Sequence, residues 1–262
     1  MLRIFESHDG KPTAAVGDIH GEAALLRTLL VALEEMGREL GGLRIVTLGD
    51  YIDRGEAARE VIERLLEGPI HACNDYIHLK GNHDQFMLDG LRDPSPTNMS
   101  RWMRSGGLQT LGSYGVDDED MLFDGSWRTR IPPEHVAFLE GLHHAAIDAE
   151  RIFVHAGLRP GIPFEAQTEY DLLWIRDEFL ENDHDFGRLV VHGHTASVHP
   201  VIRPTRMNID TEAYGSGVLT AALFGTGVEM IQAVQQKRHG VPTLRRFAPA
   251  PSYGDPGVGA RF

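Results

Sequence analysis

Five short apolar runs alternate with longer segments of helical periodicity along the first three quarters of the chain. The runs occupy residues 14–21, 45–55, 76–84, 152–157 and 189–194. Between the first two, residues 22–40 carry leucines at helical spacing and end at two glycines, and residues 56–67 repeat the pattern before a Gly-Pro pair. The resulting β-α-β-α-β order favours a parallel sheet with right-handed crossovers.

The middle and the end of the chain follow other patterns. Residues 86–150 lack convincing strand signals and are predicted to form a mostly helical insertion, with a solvated acidic turn at 117–120. Three later β-rich runs predict hairpin strands of a second sheet packed on the first, namely 206–209, 218–224 and 228–234. The tail at 247–262 is rich in Pro, Gly and Ala and is predicted to be flexible, which leaves 1–246 as a single domain.

Composition and charge narrow the class of protein. A formal net charge of −13 over 262 residues argues against a nucleic-acid partner, because polyanion binders carry a basic face. Cys73 is the only cysteine, which excludes an intrachain disulfide and a zinc–thiolate cluster. The N-terminus lacks the apolar core of a signal peptide, and no apolar run reaches the roughly 20 residues that span a bilayer. We therefore expect a soluble cytoplasmic protein with no membrane partner.

Each apolar run ends in Asp, Asn or His beside a glycine. Because the carboxyl ends of neighbouring strands meet at one crevice of an open α/β sheet, five such ends would line one pocket. Asp18 and His20 are one residue apart and would point to the same side of an extended segment, as the start of one metal site. Asp50 could bridge two metals through its two oxygens. Further candidate ligands are Asn82, His155 and His194.

Such a pocket would suit two-metal ester hydrolysis. Mixed oxygen and nitrogen ligation favours Mn²⁺, Fe or Zn²⁺ over Mg²⁺ or Ca²⁺, and two metals about 3.5–4 Å apart would make a bridging water nucleophilic at neutral pH. Arg54 could pair with phosphate oxygens, and His83 could protonate the leaving oxygen while Asp53 orients its imidazole. His192 lies two residues before His194 and would face the same side, so a substrate role and a supporting role both stay open.

The motifs resemble those of a known family. The similar blocks are GDIHG (17–21), GDYIDRG (49–55), GNHD (81–84), VHAG (154–157) and GHT (193–195). They are similar to the signature and metal-histidine blocks of the phosphoprotein phosphatases, within the calcineurin-like metallophosphoesterases. The pattern Trp102…GG..T..SYG and the run LLWIR (172–176) resemble the bacterial branch, which holds serine/threonine phosphatases and symmetric diadenosine tetraphosphate hydrolases. The resemblance covers roughly residues 14–223.

This resemblance implies a fold and a role for each motif residue. The fold would be an α/β metallophosphoesterase-type β-sandwich of two mixed sheets flanked by helices. The implied ligands are Asp18 and His20 for one metal, Asp50 as the bridge, and Asn82, His155 and His194 for the second. His83 would be the leaving-group acid paired with Asp53, and Arg54 would bind the substrate phosphate. The family's second phosphate-binding arginine would be Arg176, and Tyr214 would line the pocket.

One position departs from the family pattern. The third block usually ends in Glu, whereas Asp84 stands here. We expect this shorter carboxylate to shift at most an outer hydrogen bond and to touch no ligand, so activity is still expected.

Three functions follow from these residues. The leading hypothesis is a manganese-dependent serine/threonine protein phosphatase acting on a phosphorylated protein. The alternative is a hydrolase of a small phosphoester or dinucleotide such as diadenosine tetraphosphate, because the signature blocks see only the phosphate. Trp102 and Tyr114 are candidates for stacking on a base, although core packing is favoured for each. A non-catalytic metal-bound scaffold is disfavoured, because no ligand position is missing.

Overall fold

The computed structural model describes residues 2–116, 125–236 and 240–250. The strands are β1 (Ile4–Glu6), β2 (Thr13–Val16), β3 (Arg44–Thr47), β4 (Asp75–His78), β5 (Ala145–Ile147), β6 (Arg151–Val154), β7 (Leu189–His192), β8 (Val201–Ile202), β9 (Arg206–Asn208), β10 (Val218–Phe224), β11 (Val228–Val234) and β12 (Thr243–Phe247). The α-helices are α1 (Ala23–Leu40), α2 (Ala58–Leu66), α3 (Asn82–Arg92), α4 (Pro96–Trp102), α5 (Leu108–Ser113), α6 (Pro133–Gly141), α7 (Glu169–Trp174), α8 (Asp177–Leu180) and α9 (Ala213–Ser216). A π-helical turn at Met103–Gly107 joins α4 to α5, and 3₁₀ turns lie at Ser126–Arg130 and Phe164–Ala166.

The strands form two six-stranded mixed sheets, which confirms the fold class predicted from the sequence. The first sheet has the order β12-β11-β10-β2-β3-β4, with β2, β3 and β4 parallel. The second has the order β1-β5-β6-β7-β9-β8, with β6, β7 and β9 parallel. The carboxyl ends of these parallel strands hold the polar clusters noted in the sequence.

The distribution of strands between the sheets differs from the prediction. The late strands β10 and β11 were expected in a second sheet, but β10 pairs antiparallel with β2 and joins the first sheet. Six of its seven residues are buried, so it occupies a central position that no amphipathic edge strand could fill. The early strands β6 and β7 instead belong to the second sheet. The short strands β1, β5, β8 and β12 were not predicted.

Alternation of side chains places the core on both faces of the first sheet. Ala15 and Val46 face the second sheet, where the Phe153 and Phe224 rings meet with centroids 6.0 Å apart. The opposite face of the first sheet packs against α1, whose five inward leucines are fully buried. Each buried leucine contributes about 1.5–3 kcal/mol, so this helix is a principal support of the sheet. It ends at Gly41, which has a left-handed φ of 80°.

The segment predicted as an insertion is mostly helical in the described residues, from α4 through α6. The strand β5 lies inside the range that was predicted to be the helical insertion. It was not predicted, because three residues are too few to give a periodic signal. The predicted acidic turn at 117–120 and most of the predicted flexible tail, residues 251–262, lie outside the described residues. No helix in the ranges that the structure describes has the length and apolarity required to cross a membrane.

Candidate metal and catalytic site

Four segments of the chain bring five polar side chains to one buried cluster. The potential ligand atoms of Asp18, Asp50 and His155 lie within 4.8 Å of one another, as do those of His20, Asp50 and His83. All of these side chains are buried. Strands β2, β3, β6 and the start of α3 each supply one or two of them, so the two sheets and one helix build the cluster together.

Asp50 stands at the centre of the cluster. Its Oδ2 lies 3.4 Å from His20 Nε2, and its Oδ1 lies 3.5 Å from His155 Nε2. The two oxygens therefore face different imidazoles, as a bridging carboxylate requires. Gly81 allows this approach, because a Cβ there would lie 2.0 Å from Asp50 Oδ1.

A second group of donors meets at Asn82. Its Oδ1 lies 2.9 Å from His155 Nε2 and 2.9 Å from His194 Nδ1. The Leu48 carbonyl accepts a hydrogen bond from His155 Nδ1 at 2.9 Å, and the Ile52 carbonyl accepts one from His20 Nδ1 at 2.8 Å. A carbonyl can only accept, so Nδ1 carries the proton and Nε2 presents its lone pair to the cluster in both rings.

Electrostatics show that the cluster fits divalent cations. Asp18 Oδ1 is buried without a hydrogen-bond partner, and burial together with the charges of Asp210 and Asp50 raises the pKa of Asp18 well above its usual value. Burial and the neighbouring His83 lower the pKa of His20 to about 3, so its imidazole is neutral. Burial also lowers the pKa of His194 well below its ordinary value. Crowded carboxylates beside neutral imidazoles are a donor set that a pair of cations would stabilise.

His83 and Asp53 form a hydrogen-bonded pair beside the cluster. His83 Nδ1 lies 2.8 Å from Asp53 Oδ2, and its Nε2 lies 4.0 Å from Asp50 Oδ2. Burial lowers the pKa of His83, but the charge of Asp50 and the hydrogen bond to Asp53 outweigh it, so the pKa is raised overall. A histidine held in this way can carry a proton at neutral pH.

The arginines lie on two sides of the cluster. Arg54 donates to the Tyr214 hydroxyl at 2.6 Å and lies over the Tyr214 ring, and its other terminal nitrogen is 3.3 Å from His83 Nε2. Tyr214 in turn donates to Glu212 at 3.0 Å. Arg176 is exposed just before α8, and its charge lowers the pKa of His194. The structure thus brings Arg54 and Tyr214 against His83 and His20, whereas Arg176 acts on His194 through its charge alone.

The backbone at the cluster is unusual. Within the described residues, the non-glycine positions with positive φ are His20, Asp50, Asp53, Arg54, His194 and Glu212. Each costs of order 1–3 kcal/mol, and such residues persist where surrounding contacts hold them. Their concentration at this cluster is typical of a functional site rather than of ordinary turns.

His192 packs against α8 and is not among the clustered candidate ligands of the described residues. Its ring packs edge-on against Phe179 with centroids 5.0 Å apart, and burial lowers its pKa to about 3. The two-residue spacing predicted that His192 and His194 face the same side. This expectation fails because β7 ends at His192, whereas His194 lies beyond the strand with a φ of 66°. The alternation of a strand does not extend past its end.

Several supporting residues were missed or misjudged in the sequence. Asp84 accepts hydrogen bonds from the backbone amides of Asp50, Tyr51 and Gly81, so the expectation that it touches no ligand is wrong for the Asp50 backbone. Asp210 faces Asp18 and was overlooked because NIDT (208–211) carries no spacing signal by itself. Tyr114 is buried, and its hydroxyl lies 2.8 Å from His135 Nδ1.

Comparisons with known proteins agree with this geometry. The sequence matches the profile of a family described as calcineurin-like phosphoesterase over residues 11–216. The fold resembles the crystal structure of a candidate diadenosine tetraphosphatase (TM-score 0.65, 21% identity), covering 90% of this chain and 100% of that chain. It also resembles the cold-active protein-tyrosine phosphatase of a psychrophilic Shewanella species (TM-score 0.56, 14% identity), covering 89% of this chain and 80% of that chain. No curated protein sequence matches the chain.

Proposed function

The chain belongs to the calcineurin-like phosphoesterase family, and from this premise we propose that it is a two-metal phosphomonoesterase acting on phosphoserine and phosphothreonine in proteins. The observation that carries the proposal is the His83–Asp53 pair beside the Asp50 cluster. An alkoxide is a poor leaving group and must be protonated as its bond to phosphorus breaks. A histidine held next to the cluster supports cleavage of such an ester.

Two divalent ions, Mn²⁺ by preference, complete the site in this proposal. Mixed oxygen and imidazole donors suit Mn²⁺, and Fe or Zn²⁺ would also fit. The residues that would hold them are Asp18, His20, Asp50, Asn82, His155 and His194. When bound, the ions would activate a water molecule for attack and neutralise charge on the phosphoryl oxygens.

The side chains around the cluster supply binding and proton transfer. Arg54 lies against both His83 and Tyr214, where its guanidinium can pair with two phosphate oxygens beside the proton donor. Arg176 would add a second cation on the side of His194. His83 then donates its Nε2 proton to the leaving oxygen, while Asp53 accepts the Nδ1 hydrogen bond and keeps the ring oriented.

A second candidate substrate is a dinucleoside polyphosphate, and Arg101 favours it. The Arg101 guanidinium lies 4.8 Å from the centroid of the Phe86 ring and 5.0 Å from that of Trp174. Trp174 is only partly buried, and its ring centroid lies 6.4 Å from that of His194. No carboxylate in the described ranges pairs with this guanidinium, although the chain is strongly acidic. A guanidinium that lies beside Trp174 with no carboxylate partner among the described residues fits a leaving group that carries further phosphates.

A competition experiment tests the proposal. Protein reconstituted with Mn²⁺ receives a phosphothreonine peptide and diadenosine tetraphosphate in one tube, with Asp50→Asn as the inactive control. Preferential release of inorganic phosphate from the peptide would support the protein phosphatase, and preferential formation of ADP would replace it with the nucleotide hydrolase. Tight Mn²⁺ binding with neither product would overturn both and favour the non-catalytic scaffold.

A further inference from the structure

The Asp53 carboxylate is held from two sides. One oxygen, Oδ2, accepts from His83 Nδ1, as described above. The other, Oδ1, accepts from Trp102 Nε1 at 2.9 Å and from the Thr110 hydroxyl at 2.7 Å. The same hydroxyl accepts from the Asp53 backbone amide at 2.8 Å. Asp53, Trp102 and Thr110 are fully buried, so water does not compete for these hydrogen bonds.

The backbone around Asp53 needs this support. Asp53 and Arg54 each have a φ of 69°, which is a left-handed conformation at two consecutive non-glycine residues. The Gly106 carbonyl accepts from the Arg54 amide at 3.3 Å. A Cβ at Gly106 would lie 2.5 Å from the Arg54 nitrogen, so the two segments are in direct backbone contact.

All of these contacts come from one short part of the helical insertion. Trp102 ends α4, Gly106 lies in the π-helical turn, and Thr110 lies in α5. They are also the residues of the Trp102…GG..T pattern in the sequence. None of these three residues is a candidate metal ligand, so metal binding does not explain why they surround Asp53.

We propose that Trp102 and Thr110 are positioning residues that act through Asp53 to aim the His83 imidazole at the leaving oxygen. This inference rests on the proposed function, in which His83 is the proton donor. The insertion then has a defined role, since it fixes one carboxylate oxygen so that the other is available to His83 alone. Without Thr110, the carboxylate would lose one of its two lateral restraints and the link to its own amide.

Thr110→Val is the primary test, because valine has nearly the shape of threonine without the hydroxyl. Thr110→Ser keeps the hydroxyl and serves as the conservative rescue. Ser113→Ala is the matched control: Ser113 lies in the same helix, accepts from the Arg59 amide and donates to the Thr110 carbonyl, but does not touch Asp53. Each Mn²⁺-loaded variant is assayed with p-nitrophenyl phosphate, whose leaving group needs no proton, and with a phosphothreonine peptide, whose leaving group does.

We expect Thr110→Val to lower kcat for the peptide about tenfold while changing kcat for p-nitrophenyl phosphate less than twofold. Thr110→Ser should restore most of the peptide activity, and Ser113→Ala should affect both substrates equally. Equal losses on both substrates in Thr110→Val would overturn the inference, because a general structural defect does not depend on the leaving group.

Trp102→Phe provides a second, independent variant. Its control is Trp127→Phe, since Trp127 is buried in the same part of the protein and packs against Trp102 with centroids 5.5 Å apart. Only Trp102→Phe should show the selective loss on the peptide. In the metal-free protein, the proton NMR signal of the His83 Nδ1 hydrogen should shift in Trp102→Phe and stay in place in Trp127→Phe. An unmoved signal in both variants would contradict the positioning role.

His83→Asn separates failure of this inference from failure of the proposed function. If His83→Asn loses activity equally on both substrates, His83 is not the leaving-group acid and the proposed mechanism is wrong. If His83→Asn shows the selective loss but Thr110→Val and Trp102→Phe do not, the mechanism stands and the positioning role is refuted.

Discussion

Asp84 allows a quantitative test of how the Asp50 loop is held. Its Oδ2 accepts from the backbone amides of Asp50 and Gly81 at 3.0 and 2.8 Å, and its Oδ1 accepts from the Tyr51 amide at 3.1 Å. Asp84 is fully buried, so no water can replace a lost acceptor. In Asp84→Asn the remaining oxygen can still accept hydrogen bonds from two of the amides. The new NH₂ group cannot accept one, so the third amide loses its acceptor.

The expected cost follows from that count of hydrogen bonds. An unsatisfied buried N–H group costs about 1–3 kcal/mol, so Asp84→Asn should lower the free energy of unfolding by about 2 kcal/mol. Asp84→Ala leaves all three N–H donors without an acceptor and should lower it by about 5 kcal/mol by the same reasoning. Because Asp84 also fixes the amide of Asp50, the bridging ligand in our proposal, we expect Mn²⁺ affinity to fall about tenfold in Asp84→Asn.

Urea unfolding of the metal-free protein measures the first quantity, and Mn²⁺ titration measures the second. Asp89→Asn is the matched control, because Asp89 lies on the same helix and its carboxylate, among the residues that the structure describes, accepts from the Gln85 side chain alone. Its substitution should change the free energy of unfolding by less than about 0.5 kcal/mol. If Asp84→Asn unfolds at the same urea concentration as Asp89→Asn, the three backbone contacts do not support the loop and the reasoning fails.

Three further predictions concern metal removal, substrate choice and pH. Chelation of the metals should lower the melting temperature, and Mn²⁺ at 100 times its Kd should restore about 2.7 kcal/mol of stability, but not in Asp50→Asn; an equal response in that variant would contradict the bridging role. Arg101→Gln should lower kcat/KM for diadenosine tetraphosphate about tenfold and leave p-nitrophenyl phosphate unaffected; an equal loss in the neighbouring exposed Arg104→Gln would refute specific recognition. Burial lowers the pKa of His78 to about 4 and of His192 to about 3, below the usual 6.5, so the unfolded state binds more protons. The stabilisation that His78 contributes to the metal-free protein should therefore be fully present above pH 6.5 and be lost as the pH drops towards 4, by up to about 1.4 kcal/mol per pH unit. Burial raises the pKa of Asp84 to about 8, which gives the opposite pH dependence, so the His78 contribution is measured as the difference in free energy of unfolding from His78→Gln in urea titrations at each pH; a difference that does not change with pH would refute it.

The strand-end motifs predicted the cluster well because their geometry is local. Asp18 and His20 follow β2 directly, and Asp50 follows β3 in the same sheet, so the fold class was enough to bring them together. The helix α1 was predicted within one residue of its start at Ala23, because its leucines recur at the three- and four-residue spacing of a helix. The two six-stranded mixed sheets flanked by helices confirm the fold class that was predicted from these motifs.

Long-range features were harder to predict because no local period encodes them. The assignment of β10 to the first sheet depends on pairing with β2, about two hundred residues earlier in the chain. The contacts of Thr110 in α5 and of Asp210 in the loop after β9 depend on which distant segments meet, and a single polar residue gives no periodic signal. His192 shows the opposite error, in which a local period was applied beyond the end of its strand.

Three consecutive residues at the start of α3 connect the separate parts of the site. Successive residues of a helix are about 100° apart around its axis, so Asn82, His83 and Asp84 point in different directions. Asn82 faces the imidazoles of His155 and His194. His83 faces Asp53, and Asp84 accepts from the amides around Asp50. The His83 amide also donates to Asp50 Oδ1 at 3.0 Å. One helical turn therefore fixes Asn82, His83 and the Asp50 loop relative to one another, which explains why the block 81–84 is compact in sequence while its partners are spread over the whole chain.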